Sequence, residues 1–129
     1  MKMAYFRIPL DLPHAGTIAE RITVLIQRNM DDETMETEAI TELAGDLFDV
    51  LWPYRVSGEN PPEAEAREVR DEAARLGRAI VDEIERLQIG TDRLGQCIRN
   101  LFECLELGEE GAAISLRAGE NPNSLQRPI

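Results

Sequence analysis

The chain has 129 residues, 43% of them hydrophobic and 30% charged, which supplies one buried core and argues against wholesale disorder. Its 25 acidic side chains outnumber 14 basic ones, and the net charge of −11 argues against direct binding to nucleic acid or to anionic membranes. No apolar run reaches the ~18 residues that span a bilayer, and the N-terminal residues lack the form of a secretory signal. We therefore expect a cytoplasmic protein.

The first predicted helix covers about residues 18–29. Pro13 and Gly16 indicate turns before it. Thr17 and Glu20 have the spacing of a capping box, in which each side chain bonds the other residue's free backbone N–H group. The apolar side chains that follow share one helical face: Ile18, Ile22, Leu25 and Ile26.

The second predicted helix covers about residues 32–52. Its cap is Asp31 or Asp32, which also places negative charge at the positive end of the helix dipole. We expect Pro53 to end it, because a proline ring clashes with the preceding helical turn. Its apolar face contains Ile40, Leu43, Leu47 and Leu51.

The third predicted helix covers about residues 62–88 and follows the start signal Asn60-Pro61-Pro62. At ~1.5 Å per residue it is near 40 Å long. Its apolar side chains approximate a heptad repeat, which favours a homodimer: Ala66, Val69, Ala73, Leu76, Ile80 and Leu87. Acids four residues before arginines predict ion pairs along its polar face: Glu63–Arg67, Asp71–Arg75 and Asp82–Arg86.

The fourth predicted helix covers about residues 92–107. Thr91 or Asp92 caps it, and Gly108 is the expected left-handed residue after it. Its apolar face contains Leu94, Cys97, Ile98, Leu101, Cys104 and Leu105. The two cysteines stand about 10 Å apart along the helix axis, too far for a disulfide, so we expect buried free thiols.

The predicted fold is all-α, an irregular four-helix bundle with one long helix. Residues 112–117 have the pattern of a strand or of a last helical turn, and pairing of segment 5–8 with segment 114–117 would add two short strands. Residues 1–118 are predicted to form a single helical domain. Residues 119–129, polar and with two prolines, are predicted to form a flexible tail.

The sequence contains no recognisable catalytic constellation. His14 is the only histidine, so neither a nucleophile–histidine pair nor a zinc site has the residues it needs. Glycine-rich phosphate-binding motifs are absent. We therefore predict a protein without catalytic residues, metal or cofactor.

An acidic segment dominates the charge, since residues 31–52 contain eight acids and no base. A helical projection places four of them within about 80°, opposite the apolar face: Glu38, Glu42, Asp46 and Asp49. This acidic stripe is either a solvated face that keeps the protein in solution or a docking surface for a basic protein partner. Trp52 and Tyr54 are either anchors at the edge of the core or partner-binding residues beside the stripe.

The segment Glu42-Leu-Ala-Gly-Asp-Leu-Phe-Asp-Val-Leu51 resembles a helix of the all-α nucleoside-triphosphate pyrophosphohydrolases. Those enzymes carry a Glu-x-x-Asp metal motif in such a helix and a Glu-x-x-Glu motif in the preceding helix. The resemblance implies a Mg²⁺-dependent enzyme in which Glu42, Asp46 and Glu20 approach the metal. Here Glu42 and Asp46 are four residues apart, and Thr23 stands where the second glutamate of the preceding motif would be.

The sequence favours a non-enzymatic inhibitor or regulator whose acidic helix face docks on a basic protein. A phage or mobile-element inhibitor of a nucleic-acid-handling machine, in the manner of an anti-CRISPR protein, has this size and acidity. An acidic secretion chaperone or an immunity-type protein has the same features, and the Mg²⁺-dependent pyrophosphohydrolase is the enzymatic alternative.

Overall fold

The computed structural model describes residues 9–28 and 37–120, and within these ranges it contains five α-helices and no strand. Their bounds are α1 Leu12–Arg28, α2 Glu38–Ser57, α3 Glu63–Leu87, α4 Asp92–Cys104 and α5 Gly108–Ile114. The all-α class and the long third helix are confirmed. None of these helices has the length and apolarity needed to cross a bilayer.

Helix α1 begins at Leu12, well before the predicted residue 18. The side chain of Asp11 accepts a hydrogen bond of 3.1 Å from the backbone N–H of His14, so Asp11 caps the helix. Pro13 lies in the first turn, where its missing N–H group has no intrahelical partner to lose. The predicted capping box is therefore wrong, because Thr17 lies inside the helix.

Helix α2 continues through Pro53 and ends at Ser57, where Gly58 takes a left-handed φ of 75°. The prediction that Pro53 ends this helix is wrong. Pro53 has no N–H group, so the helix loses one hydrogen bond, to the carbonyl of Asp49. The loss is tolerated because Pro53 is close to the C-terminal end and lies on a face open to water. Buried Leu51 and half-buried Tyr54 hold the backbone on both sides of it. The predicted caps, Asp31 and Asp32, lie outside the described residues.

Helices α3 and α4 begin where their signals predict. The side chain of Thr91 accepts a bond of 3.1 Å from the N–H of Leu94, which confirms it as the cap of α4. Helix α4 ends before the predicted residue 107, and the left-handed residue that follows is Glu106, with φ 63°. Gly108 instead begins α5.

The predicted strand pairing is wrong on its C-terminal side, because residues 114–117 form the end of α5 and a turn. Segment 5–8 lies outside the described residues. The packed chain extends to Glu120, a residue that is 4% exposed. It accepts bonds of 3.0 and 2.9 Å from Arg99 and another from the buried Ser115 hydroxyl. The division into a helical domain ending at residue 118 and a flexible tail stays a prediction.

Helices α1 and α2 form an antiparallel pair, with α1 also packed on α4, α3 on α2, and α5 on α4. The start of α1 is tied to the loop after α2 by Asn60, which accepts from the N–H of Leu12 and donates to the carbonyl of Leu10, both at 2.9 Å. Near the same end, Gly16 lies so close to α2 that a Cβ atom would stand 2.9 Å from the Cβ of Arg55 and 3.1 Å from the carbonyl of Leu51.

Two helical glycines give opposite predictions for stability. Gly16→Ala should destabilise the fold by about 1–3 kcal/mol, because neither neighbouring atom is the free end of a side chain. Gly45→Ala should stabilise it by about 0.5–1 kcal/mol, since α2 has open space there and alanine favours a helix. Urea unfolding of both variants measures the difference. Equal effects would contradict the close α1–α2 contact.

The two cysteines differ in burial, although both were predicted to be buried. Cys104 is 5% exposed, whereas Cys97 is only half-buried. Removal from water raises the pKa of both thiols, and that of Cys104 reaches about 11, with a further contribution from the charges of Asp11 and Glu103. The thiolate is the reactive form, so both thiols are expected to react slowly.

A thiol-labelling experiment tests this difference. At pH 8 native protein should take up one label slowly at Cys97 and leave Cys104 protected, while denatured protein should take up two at once. Mass spectrometry of the labelled peptides identifies the site. Cys104→Ala should cost about 1 kcal/mol as a small cavity. Rapid labelling of native Cys104 would contradict its placement.

Candidate docking surface

The four carboxylates of the acidic stripe are all exposed on α2. On the opposite side of the helix, Ile40, Ala44, Leu47 and Leu51 are buried in the core. Leu43, predicted in the core seam, lies half-buried at its edge. The structure therefore places Glu38, Glu42, Asp46 and Asp49 together on one helix face, as their spacing predicts.

Within residues 9–28 and 37–120, none of these four carboxylates forms an ion pair. The ion pairs there engage Glu20, Glu63, Asp71, Glu72, Asp82, Glu83, Glu85, Glu110 and Glu120. Asp46 does lie within electrostatic reach of Arg75 on α3. The pKa of Arg75 is raised chiefly by its hydrogen bond with Glu72 and in smaller part by the charge of Asp46. Among the described residues, the stripe is thus a negative surface without bonded counter-charges.

The polar face of α3 differs from the acidic stripe in its ion pairing. The predicted Glu63–Arg67 pair is present at 2.7 Å. The other two predicted i,i+4 pairs are replaced by i,i+3 pairs, since Arg75 bonds Glu72 at 2.5 Å and Arg86 bonds Glu83 at 2.8 Å. Asp82 instead bonds Arg117 at 2.6 Å, beyond α5. Acids on α3 are therefore largely neutralised by arginines, unlike those of the stripe.

Trp52 lies on the exposed side of α2, with 42% of its surface accessible. Its ring centroid is 5.1 Å from that of Phe48, one turn earlier. The guanidinium of Arg55 lies 5.3 Å from the same ring and bonds the carboxylate of Glu20 on α1 at 2.7 Å. Trp52 is therefore a partly exposed residue at the edge of the α1–α2 pair, and its role as a core-edge anchor or as a partner-binding residue stays a prediction.

Tyr54 faces a different neighbour from Trp52. It is half-buried, and its hydroxyl donates a bond of 2.7 Å to Glu65 on α3. That bond raises the pKa of the phenol. Val56, which the sequence reasoning missed because it expected a loop after Pro53, is 65% exposed one turn beyond Trp52. The structure thus groups Val56, rather than Tyr54, with the stripe and Trp52.

The residues of the pyrophosphohydrolase resemblance do not converge. Glu20 on α1 pairs with Arg55, while Glu42 and Asp46 point to solvent from the far side of α2. In the part of the chain that the structure describes, no three His, Cys, Asp or Glu side chains are grouped to hold a metal ion.

Comparison of this chain with protein-family models, with curated proteins and with solved structures finds no match. Function is therefore inferred from the chemistry of the surface residues. Carboxylates accept hydrogen bonds and attract cationic groups, and a partly exposed indole offers flat apolar area with little side-chain entropy to lose. Together these groups fit a protein-docking surface.

A magnesium titration separates a docking surface from a metal site. If the carboxylates formed a metal site, bound Mg²⁺ would raise the free energy of unfolding by about 2.7 kcal/mol at a hundredfold excess over Kd. We expect no change in melting temperature at millimolar Mg²⁺ and no hydrolysis of nucleoside triphosphates. A rise in melting temperature that Asp46→Asn abolishes would instead support the pyrophosphohydrolase.

Proposed function

We propose that this protein is a non-enzymatic inhibitor or regulator that docks the acidic face of α2 on the basic surface of a larger protein partner. The observation that carries the proposal is the set of four exposed carboxylates that form no ion pair with any described residue, beside a partly exposed tryptophan. A cationic groove that handles nucleic acid is one such surface, and its blockage would be an inhibition of the anti-CRISPR kind. A basic client of an acidic secretion chaperone or of an immunity-type protein is another.

The physical basis of the proposal is electrostatic steering. Carboxylates at successive turns of one helix sum to a local negative field that raises the rate of encounter with a cationic surface. Adjacent like charges destabilise the helix by only a few tenths of a kcal/mol per pair, and the packing of its opposite, apolar face compensates for this. Direct binding to nucleic acid is opposed by the net charge of −11.

A homodimer through α3 stays a prediction. Most of the apolar seam that suggested it is buried within the chain, including Ala66, Ala73, Leu76 and Ile80. A dimer would therefore have to use other side chains of α3.

A fourfold variant tests the docking function on a partner captured from native extract and identified by mass spectrometry. The variant E38Q/E42Q/D46N/D49N keeps side-chain size while removing four charges from an exposed face, so the fold should survive. Its association rate should fall by about tenfold or more at low salt and lose most of its salt dependence, because peripheral charges act mainly on the on-rate.

A control variant makes the same change in net charge elsewhere. Glu68, Asp92, Glu106 and Glu109 are exposed and lie outside α2. At 0.1 M salt, changing these four to Gln or Asn should leave the association rate within about threefold of wild type, since charges more than ~10 Å from the contact are screened at that salt concentration. Equal on-rates and salt slopes for wild type and the stripe variant would overturn the proposal.

A further inference from the structure

The acidic stripe continues into an apolar patch at the C-terminal end of α2. Trp52 and Val56, 42% and 65% exposed, stand one turn apart. At 100° per residue, Asp49, Trp52 and Val56 fall within about 60° of one another. The face of α2 therefore has two parts in line, carboxylates first and apolar side chains last.

Hydrogen-bond acceptors dominate the polar part of this face. Pro53 has no N–H group, so the carbonyl of Asp49 lacks its regular intrahelical donor beside the carboxylates. Two cations near this face are engaged elsewhere, since Arg55 bonds Glu20 and lies over the Trp52 ring, and Arg75 bonds Glu72. A complementary surface must therefore supply donors and positive charge along the stripe, and apolar side chains over the patch.

The spacing of the carboxylates distinguishes between shapes of partner. They stand four, four and three residues apart, so at ~1.5 Å per residue their steps along the axis are about 6, 6 and 4.5 Å. A helix with basic side chains at i, i+4 and i+3 spacing has the same steps. Same-face residues of a strand are about 6.6 Å apart, so four of them would span about 3 Å more than the four carboxylates do.

We infer that the occupant of this face is a basic amphipathic helix of a protein partner. Its lysine or arginine side chains meet Glu38, Glu42, Asp46 and Asp49, and its apolar side chains cover Trp52 and Val56, as an amphipathic helix covers a complementary groove. A second copy of this chain would present the same negative stripe and repel it. The inference rests on the proposed docking function and names the form of the partner.

The single tryptophan of the chain makes a direct test simple, because its emission reports on this patch alone. The probe is a synthetic helical peptide of about 20 residues, long enough to form a helix on binding. It carries Lys and Leu on opposite faces and contains no aromatic residue. A second peptide has the same composition in an order that does not segregate Lys from Leu. Only the amphipathic peptide should shift Trp52 emission to the blue, and it should bind at least about tenfold more tightly.

Three variants, checked for native helicity by circular dichroism, locate the binding. The stripe variant E38Q/E42Q/D46N/D49N should lower affinity for the amphipathic peptide about tenfold or more at low salt. The control variant E68Q/D92N/E106Q/E109Q should change it by less than about threefold at 0.1 M salt. Val56→Ser keeps the reporter and the charge, and it should reduce affinity by about fivefold through loss of apolar contact.

The outcomes distinguish a failure of the helical partner from a failure of the docking function. Equal binding of both peptides, still dependent on the stripe, would overturn the helical partner while leaving a basic partner in place. Equal loss of affinity in the stripe and control variants would overturn both. An unchanged affinity for V56S would remove the apolar patch from the interface and overturn the inference.

Discussion

The surface of α2 depends on how closely α1 approaches it. At Gly16 the two helices leave no room for a side chain, since a Cβ atom would stand 2.9 Å from Arg55 and 3.1 Å from the Leu51 carbonyl. This approach lets Glu20 reach Arg55 at 2.7 Å. Arg55 is then held against α1 and lies over the Trp52 ring, which stays at the rim with 42% of its surface exposed. The position of the candidate docking surface therefore follows from a packing contact in the core.

Ion pairs are distributed unequally over the helices, and this distribution has little effect on the free energy of unfolding. Exposed pairs such as Glu63–Arg67 contribute between zero and about 1 kcal/mol each. The α2 carboxylates, which pair with no cation in the part of the chain that the structure describes, thus forfeit little stability. The buried Glu120 is different, because its partner Arg99 holds the last described turn against α4. Removing either partner of that buried pair would be strongly destabilising, whereas the exposed charges of the α2 face contribute little to the fold.

Capping residues and prolines in the sequence predicted the starts of two helices correctly. Thr91 caps α4, and the proline pair before Glu63 marks the start of α3. The start of α1 was misjudged because Pro13 also fits a first helical turn once Asp11 caps it. The orientation of the acidic stripe followed from helical periodicity alone. The contact between Arg99 and Glu120 could not be predicted, because it joins residues 21 apart with no shared local pattern.

The misjudged end of α2 bears most directly on function. A helix that ended at Pro53 would leave Val56 in a loop, with no fixed position relative to the carboxylates. Because the helix continues to Ser57, Trp52 and Val56 extend the line of the acidic stripe by more than a turn. Proline in a helix interior is tolerated only where packing compensates for the lost bond, here through buried Leu51 and half-buried Tyr54. A substitution at Tyr54 would therefore act on the docking face indirectly, by loosening the last turn of α2.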